Sequence, residues 1–184
     1  MNRFEGSLWL AVAAFSAIAV GCGGSDTGAG GAGGSGAPTE EMSVVSAFGQ
    51  FQKVGFTRIT KDPVPSQHAL SPKVVVWVND AAAAAYRAID PANLTATAGP
   101  FPVGTIIIKQ GIGADGNPDG NATVAAKFKA GFNPTAADWW WGRFDPKGAL
   151  AEKGPIQYCI DCHKGNGLDR TDWMKGTAST NQMP

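Results

Sequence analysis

The chain has 184 residues, and its fifteen basic side chains balance fifteen acidic ones. A net charge of zero gives no electrostatic reason to expect nucleic acid as a partner. Charged residues make up 16%, below the usual ~25%, and 25 glycines with 12 prolines are typical of a turn-rich β protein.

Residues 1–22 are predicted to be an export signal. Arg3 precedes an apolar stretch over residues 8–20, which is shorter than the roughly 20 residues that a membrane-spanning helix needs. The stretch ends in "AVGC", which resembles the lipobox of bacterial lipoproteins and implies cleavage before Cys22 and acylation of its thiol. The alternatives are an ordinary secretory signal that leaves Cys22 as a plain thiol, or a signal cut elsewhere.

Residues 23–42 are predicted to be a flexible tether, and residues 43–184 the folded domain. Half of residues 23–38 are glycine, without a large apolar side chain, so this segment cannot bury enough surface to offset its ordering entropy. We therefore expect an exported protein that a lipid holds on a bacterial membrane, with its domain in the periplasm or at the cell surface.

Two helices and two strands are predicted in the first half of the domain. Residues 43–54 are expected to form a helix that Ser43 caps. Residues 73–80 are apolar and β-branched, which favours a buried strand. A short helix with Asp80 as N-cap follows, and residues 101–111 form the second strand.

Residues 113–121, "GADGNPDGN", are a dense turn signal. Their alternating Asp and Asn resemble a calcium loop, but Ala126 stands where that loop has its twelfth-position Glu, so a hairpin loop is favoured. In the strand predicted over residues 122–131, Lys127 and Lys129 lie on the face opposite to the apolar side chains.

Residues 137–145 are predicted to be an aromatic strand in which Trp139 and Trp141 share one face and Trp140 takes the other. Residues 146–158 are predicted to be an irregular or helical link. The fold class that follows is α+β, mainly β: a small antiparallel sheet with a few short helices.

The segment "CIDCH" at residues 159–163 is the attachment pattern of a c-type haem. Cys159 and Cys162 are spaced to reach the two vinyl groups on one edge of a porphyrin, and His163 then lies under the iron as the proximal ligand. Haem c is attached in the exported compartment, in agreement with the signal. The sequence therefore predicts one covalently attached haem c.

Other interpretations of the motif are weaker. Structural zinc needs four ligands, and His163 with the distant His68 makes a poor set. A dithiol redox motif usually opens a helix in a βαβ unit, which is not predicted here. His68 is either a sixth iron ligand, if its loop folds over the haem, or an exposed loop histidine.

Three segments together resemble the cytochrome P-460 family: "GTIIIK" at residues 104–109, "FNPTAADWWWGRFD" at 132–145, and "CIDCH" with the later "TDW" within 159–173. The resemblance covers roughly residues 45–175. It implies an exported β-sheet cytochrome with one haem c, a five-coordinate iron and an open distal face, related in fold to the β-type cytochromes c′.

The resemblance also assigns two distal positions. Lys109 matches the lysine that the catalytic members join covalently to the porphyrin; otherwise, a lysine that closes an apolar strand is a solvated strand end. Thr123 stands where those members carry an acid, and a hydroxyl is a poor general base. Their distal arginine has no counterpart, with Val74 nearest to its position. Both differences count against hydroxylamine oxidation but not against the haem.

We therefore expect either a redox enzyme that acts on hydroxylamine or nitric oxide, or a non-catalytic haem protein that binds nitric oxide or carries electrons. Its expected partners are a small nitrogen compound or gas ligand and a redox protein that the sequence does not identify. We expect contact with a membrane only through the lipid, no nucleic acid, and, as some family members are dimers, we allow for a homodimer.

Overall fold

One antiparallel sheet dominates the computed structural model of the chain, which describes residues 39–93 and 98–184. Its strands are β1 (Phe56–Arg58), β2 (Val64–Pro65), β3 (Lys73–Asn79), β4 (Ile106–Ile112), β5 (Pro118–Lys127), β6 (Trp139–Phe144) and β7 (Leu150–Gly154). The α-helices are α1 (Glu40–Phe48), α2 (Asp80–Arg87) and α3 (Gln157–Gly165), and short 3₁₀ turns lie at Pro134–Ala136, Leu168–Thr171 and Ser179–Asn181. The predicted mainly β architecture with a small antiparallel sheet and a few short helices is confirmed.

The strands follow the order β1-β3-β4-β5-β6-β7, and β2 pairs with β3 on the same edge as β1. From β3 to β7, the directly opposed residues form one row across the sheet: Val76, Lys109, Thr123, Arg143 and Glu152. Because directly paired residues of antiparallel strands point to the same face, this row places the side chains of four polar residues on one side of the sheet.

The sheet separates two apolar clusters. One cluster lies with α2 and α3 and includes Val76, Val78, Tyr86, Ile107, Trp139, Trp141 and Ile160. The other lies with α1 and includes Val44, Phe51, Ile108, Val124, Trp140 and Phe144. The predicted division of the three tryptophans is therefore confirmed, because alternate residues of a strand face opposite sides.

The first helix begins earlier than predicted. Thr39 is its N-cap, with the hydroxyl accepting a hydrogen bond from the Met42 N–H at 3.2 Å, so the assignment of Ser43 as N-cap is wrong. Glu40 and Glu41 occupy the first turn, where they favourably oppose the helix dipole. The helix thus starts within the last residues assigned to the tether.

The N-cap of the second helix is also corrected. Asn79, not Asp80, is the N-cap, and Asp80 is the first helical residue. The Asn79 side chain bonds across to the next strand instead, accepting from the Ile106 N–H at 2.9 Å and donating to the Gly104 carbonyl at 2.8 Å. Asn79 therefore ties the start of β4 to the end of β3.

The predicted link at residues 146–158 is largely a strand. It contains β7, which pairs with β6 at the edge of the sheet, and then the start of α3. The predicted hairpin loop at 113–121 is confirmed, although β5 already begins at Pro118. No helix within residues 39–93 and 98–184 is both long and apolar enough to cross a membrane. The signal, Cys22 and residues 23–38 of the tether lie outside the described residues.

Candidate functional site

A cavity of about 390 Å³ lies where α3 meets the face of the sheet that carries the polar row. Strands β4 to β7, helix α3 and the loop at residues 67–70 contribute its lining. The lining includes every site residue that the sequence predicted within the domain: Lys109, Thr123, Cys159, Cys162 and His163. The fold thus brings together two strand residues and a helical motif that are far apart in the chain.

Both thiols of the motif are on α3. Cys159 and Cys162 are three residues apart, a spacing that places them on neighbouring turns of one helix face. Both thiols are free, and Cys159 is half-buried while Cys162 is exposed. Burial, followed by the nearby charge of Glu152, raises the pKa of Cys159 to about 11, so its thiol is protonated at neutral pH.

His163 is buried, and its orientation is fixed from one side. Its Nδ1 forms a hydrogen bond with the backbone carbonyl of Trp173, which is an acceptor only, so Nδ1 carries the proton and Nε2 keeps a free lone pair. The ring meets Trp141 edge to face, with centroids 6.0 Å apart. Burial and then the charge of Lys109 lower the pKa of His163 to about 4, against the effect of the carbonyl. The imidazole is neutral at pH 7, as a metal ligand must be.

Lys109 is at the cavity, not at a solvated strand end. It is half-buried in the middle of β4 and directly opposite Thr123. Burial, with a contribution from the charge of Lys175, lowers the pKa of Lys109 to about 8. No carboxylate within the described parts of the chain lies within 4.0 Å of the Lys109 ammonium. A substantial fraction of Lys109 is therefore a neutral amine just above neutral pH.

A second cavity of about 350 Å³ borders the first and shares Gln67, His68 and Lys109 with it. His68 is half-buried rather than exposed. Burial, followed by the charges of Lys109 and His163, lowers the pKa of His68 to about 3. A second imidazole that is neutral at pH 7 therefore lies at the site, near enough to Lys109 and His163 that a proton on either residue lowers its pKa.

The sequence reasoning missed four polar residues of the cavity: Gln67, Arg143, Glu152 and Tyr158. Arg143 Nη2 donates to Glu152 Oε1 at 3.0 Å, and the Tyr158 hydroxyl donates to Glu152 Oε2. The Tyr158 hydrogen bond, then Arg143, holds the pKa of Glu152 below its usual range, and Glu152 in turn raises the pKa of Tyr158 to about 12. The sequence alone could have placed Arg143 on the cavity side of its strand, because Arg143 follows Trp139 and Trp141 at every second position and therefore shares their face.

Neither the protein-family models nor the curated proteins contain a match to the chain.

The donors at the cavity fit a covalently attached haem. Within residues 39–93 and 98–184, no group of three or more His, Cys, Asp or Glu is placed to hold a metal ion by itself. A porphyrin would supply four nitrogen ligands to its iron. His163 Nε2 would supply a further nitrogen ligand, and the two thiols would attach the porphyrin covalently. Trp141 also lines the cavity, and its buried Nε1–H lacks an acceptor among the described residues. An unsatisfied buried donor is costly, but this N–H has almost no accessible surface at the cavity, so the fit of the haem rests on His163 and the two thiols.

Proposed function

We propose that this protein is an exported c-type cytochrome that binds one haem c in the cavity. Cys159 and Cys162 hold the porphyrin, and His163 is the proximal iron ligand. The observation that carries the proposal is the His163 ring, buried in a cavity that both thiols line, with Nδ1 bonded to a backbone carbonyl and Nε2 left free. Metal-binding histidines are held in this way, because the bond on one nitrogen fixes the tautomer and aims the other.

We further propose redox chemistry of the cytochrome P-460 type on hydroxylamine or nitric oxide. The bound haem would supply a redox-active iron with a position open to a small molecule. Lys109 lines the cavity as a half-buried amine that is partly neutral, and the neutral amine is the nucleophilic form of a lysine. Lys109 is thus the candidate for a link to the porphyrin. Such a link replaces one N–H and one porphyrin C–H by an N–C bond, and the two protons and two electrons leave to an oxidant such as a peroxide.

Two groups are available for hydrogen bonding and proton exchange with a small ligand. Thr123, opposite Lys109, offers a hydroxyl that donates or accepts a hydrogen bond but is a poor base. Glu152 lies in the same row of paired residues as Lys109 and Thr123. It supplies a carboxylate at the cavity, where Thr123 of β5 offers only a hydroxyl. Its lowered pKa keeps it ionised at neutral pH, where it accepts protons weakly and binds cations or N–H donors.

A second candidate function is that of an electron carrier or a nitric oxide-binding protein without turnover. The observation that favours it is His68, whose half-buried imidazole lines both cavities. If His68 reaches the iron, the site is six-coordinate and closed to small molecules. If His68 does not bind the iron and the protein does not turn over hydroxylamine, the remaining function is the binding of nitric oxide, as in the β-type cytochromes c′.

The first test is whether haem attaches. The full chain is produced in a bacterium that has the machinery for haem c maturation, and the purified protein is examined by denaturing mass spectrometry and absorption spectroscopy. We expect a mass increase of one haem, lost in the double variant Cys159→Ala/Cys162→Ala. A wild-type chain that matures without a covalently bound haem contradicts the proposal.

The second test separates the enzyme from the binding protein. Reduced wild type is compared with Lys109→Ala and with Lys129→Ala, a control at an exposed lysine. A red-shifted Soret band that Lys109→Ala alone returns to an ordinary haem c spectrum, together with hydroxylamine turnover, supports the catalytic function. Identical spectra of the three proteins would show that Lys109 is not joined to the porphyrin. A six-coordinate spectrum that His68→Ala makes five-coordinate supports the electron carrier.

The remaining assignments belong to the same proposal. Acylation of Cys22 would anchor the protein to a bacterial membrane through lipid alone, with the domain in the periplasm or at the cell surface. The partners would be a small nitrogen compound and a redox protein, and a homodimer is compatible with this function.

A further inference from the structure

The carbonyl that holds His163 belongs to a strained turn. The 3₁₀ turn Leu168–Thr171 is followed by Asp172 and Trp173, which have φ values of 46° and 71°. A non-glycine residue seldom adopts positive φ, and a bulky one does so only where its surroundings hold it there. The Trp173 carbonyl that accepts from His163 Nδ1 lies directly after this strained pair of φ angles. The orientation of the imidazole therefore depends on what holds the turn.

Asp172 is held by contacts from three other parts of the chain. Its carboxylate accepts two hydrogen bonds from Lys127 Nζ, at 2.7 and 2.9 Å, and one from the Phe101 N–H at 2.7 Å. Its backbone carbonyl accepts from Trp139 Nε1 at 2.8 Å. The Lys127 ammonium also lies 5.1 Å from the centre of the Trp139 ring. These bonds fix both the side chain and the backbone of Asp172.

The Lys127–Asp172 ion pair is buried, with side chains only 10% and 8% exposed, whereas the other two ion pairs among the described residues are substantially exposed. A buried ion pair is weak support for stability, because desolvation offsets much of the attraction and an apolar pair of similar volume often serves as well. What such a pair does supply is a fixed geometry. Here, the geometry that it fixes is the turn that carries the acceptor for His163.

We propose that Lys127 and Asp172 are positioning residues for His163. Their ion pair holds the turn so that the Trp173 carbonyl meets Nδ1, which keeps the imidazole in the Nδ1–H tautomer with Nε2 as the ligand nitrogen. The part of this inference that concerns the iron rests on the proposed function. A carbonyl acceptor on Nδ1 makes the imidazole a stronger donor to a metal, which stabilises the more highly charged oxidised state. Loss of the ion pair should therefore raise the midpoint potential of the haem.

The main test variant is Lys127→Met/Asp172→Asn in the full chain. It removes both charges together, so that no unpaired charge stays buried, and the substituted amide side chain retains an oxygen for the Phe101 N–H. The tautomer of His163 is read from its ring ¹⁵N chemical shifts in the haem-free protein at pH 7. The wild type is expected to show only the Nδ1–H form, and the variant a mixture of both neutral tautomers. In the haem-loaded protein, the midpoint potential should rise.

Two further variants keep the test decisive. Phe144→Leu is the control, because it removes packing in the apolar cluster on the opposite face of the sheet and should move neither readout. Trp139→Phe removes the donor to the Asp172 carbonyl and replaces the ring that faces the Lys127 ammonium by a smaller one, and it serves if the double variant does not fold. A folded variant that keeps the pure Nδ1–H tautomer and the wild-type potential overturns the inference. If the wild type takes up no haem, the proposed function fails, while the tautomer measurement still decides whether the ion pair positions His163.

Discussion

Removal of the Lys109 charge should stabilise the haem-free protein at neutral pH. The pKa of Lys109 falls from its ordinary 10.5 to about 8 in the folded chain, chiefly through burial. At ~1.4 kcal/mol per pKa unit, this difference corresponds to a cost of about 3 kcal/mol for folding with the ammonium charged. Solvent reaches part of the side chain and reduces the cost, so we expect Lys109→Met to gain about 1–3 kcal/mol at pH 7.

The sign of the pH dependence follows from the lowered pKa. Above pH 10.5 Lys109 is neutral in both the folded and the unfolded chain, and it costs nothing. As the pH falls from 10.5 through about 8, the unfolded chain binds the proton first, so wild-type stability is lost over this window. The advantage of Lys109→Met should therefore be complete below the folded pKa. At roughly pH 9.5 it should fall to less than half of that value.

The assay is urea unfolding of the full haem-free chain with reduced thiols, followed by tryptophan fluorescence at pH 7 and near pH 9.5. Lys129→Met is the matched control, since Lys129 is exposed and its replacement should leave the free energy of unfolding nearly unchanged. The reasoning is refuted if Lys109→Met is no more stable than the wild type at pH 7, or if its advantage is the same at both pH values.

Three further outcomes follow from the described contacts. Phe144 is 1% exposed and stacks on a helix phenylalanine with ring centroids 3.6 Å apart, so Phe144→Ala should lower the free energy of unfolding by about 3–5 kcal/mol in the same urea assay. Gly120→Ala should lower the free energy of unfolding more than Gly116→Ala does. Both residues have φ near 84°, but only at Gly120 would the added Cβ lie 2.6 Å from a backbone oxygen, that of Pro146. A smaller loss at Gly120 would contradict this. Both tyrosines of the chain titrate well above their ordinary pKa of 10, and Glu152→Gln should return Tyr158 towards that value, seen at 295 nm as a lower first tyrosinate step.

The strands that the sequence predicted well are those whose residues are buried or alternate. Residues 73–79 are apolar and largely β-branched, and the three tryptophans of β6 cannot all face one side, so pattern alone located both strands. The second strand, predicted over residues 101–111, begins only at Ile106, because residues 101–105 form a loop. By contrast, β7 reads "LAEKG", which has low β-propensity. It is a strand because it pairs with β6 at the sheet edge, and pairing is a tertiary property.

The candidate site shows the same division between local and tertiary information. The motif at residues 159–163 could be identified from neighbouring residues, whereas Lys109 was assigned to the site only by the resemblance of its strand to a known family. Glu152 could not, because it reaches the cavity only through the register that sets Thr123 opposite Arg143 and Arg143 opposite Glu152. The pairing of Lys127 with Asp172 likewise joins residues 45 positions apart and depends on an αL turn.

The division of side chains between the two faces of the sheet determines which substitutions the fold accepts. Successive side chains of β4, β5 and β6 point alternately to the face that carries the cavity and to the aromatic packing on the other face. A substitution at Thr123 or Arg143 alters the cavity without entering the packing around Trp140 and Phe144. Side chains that line the cavity can therefore be replaced one at a time without disturbing the aromatic packing on the other face, so one sheet is able to carry cavities of different composition.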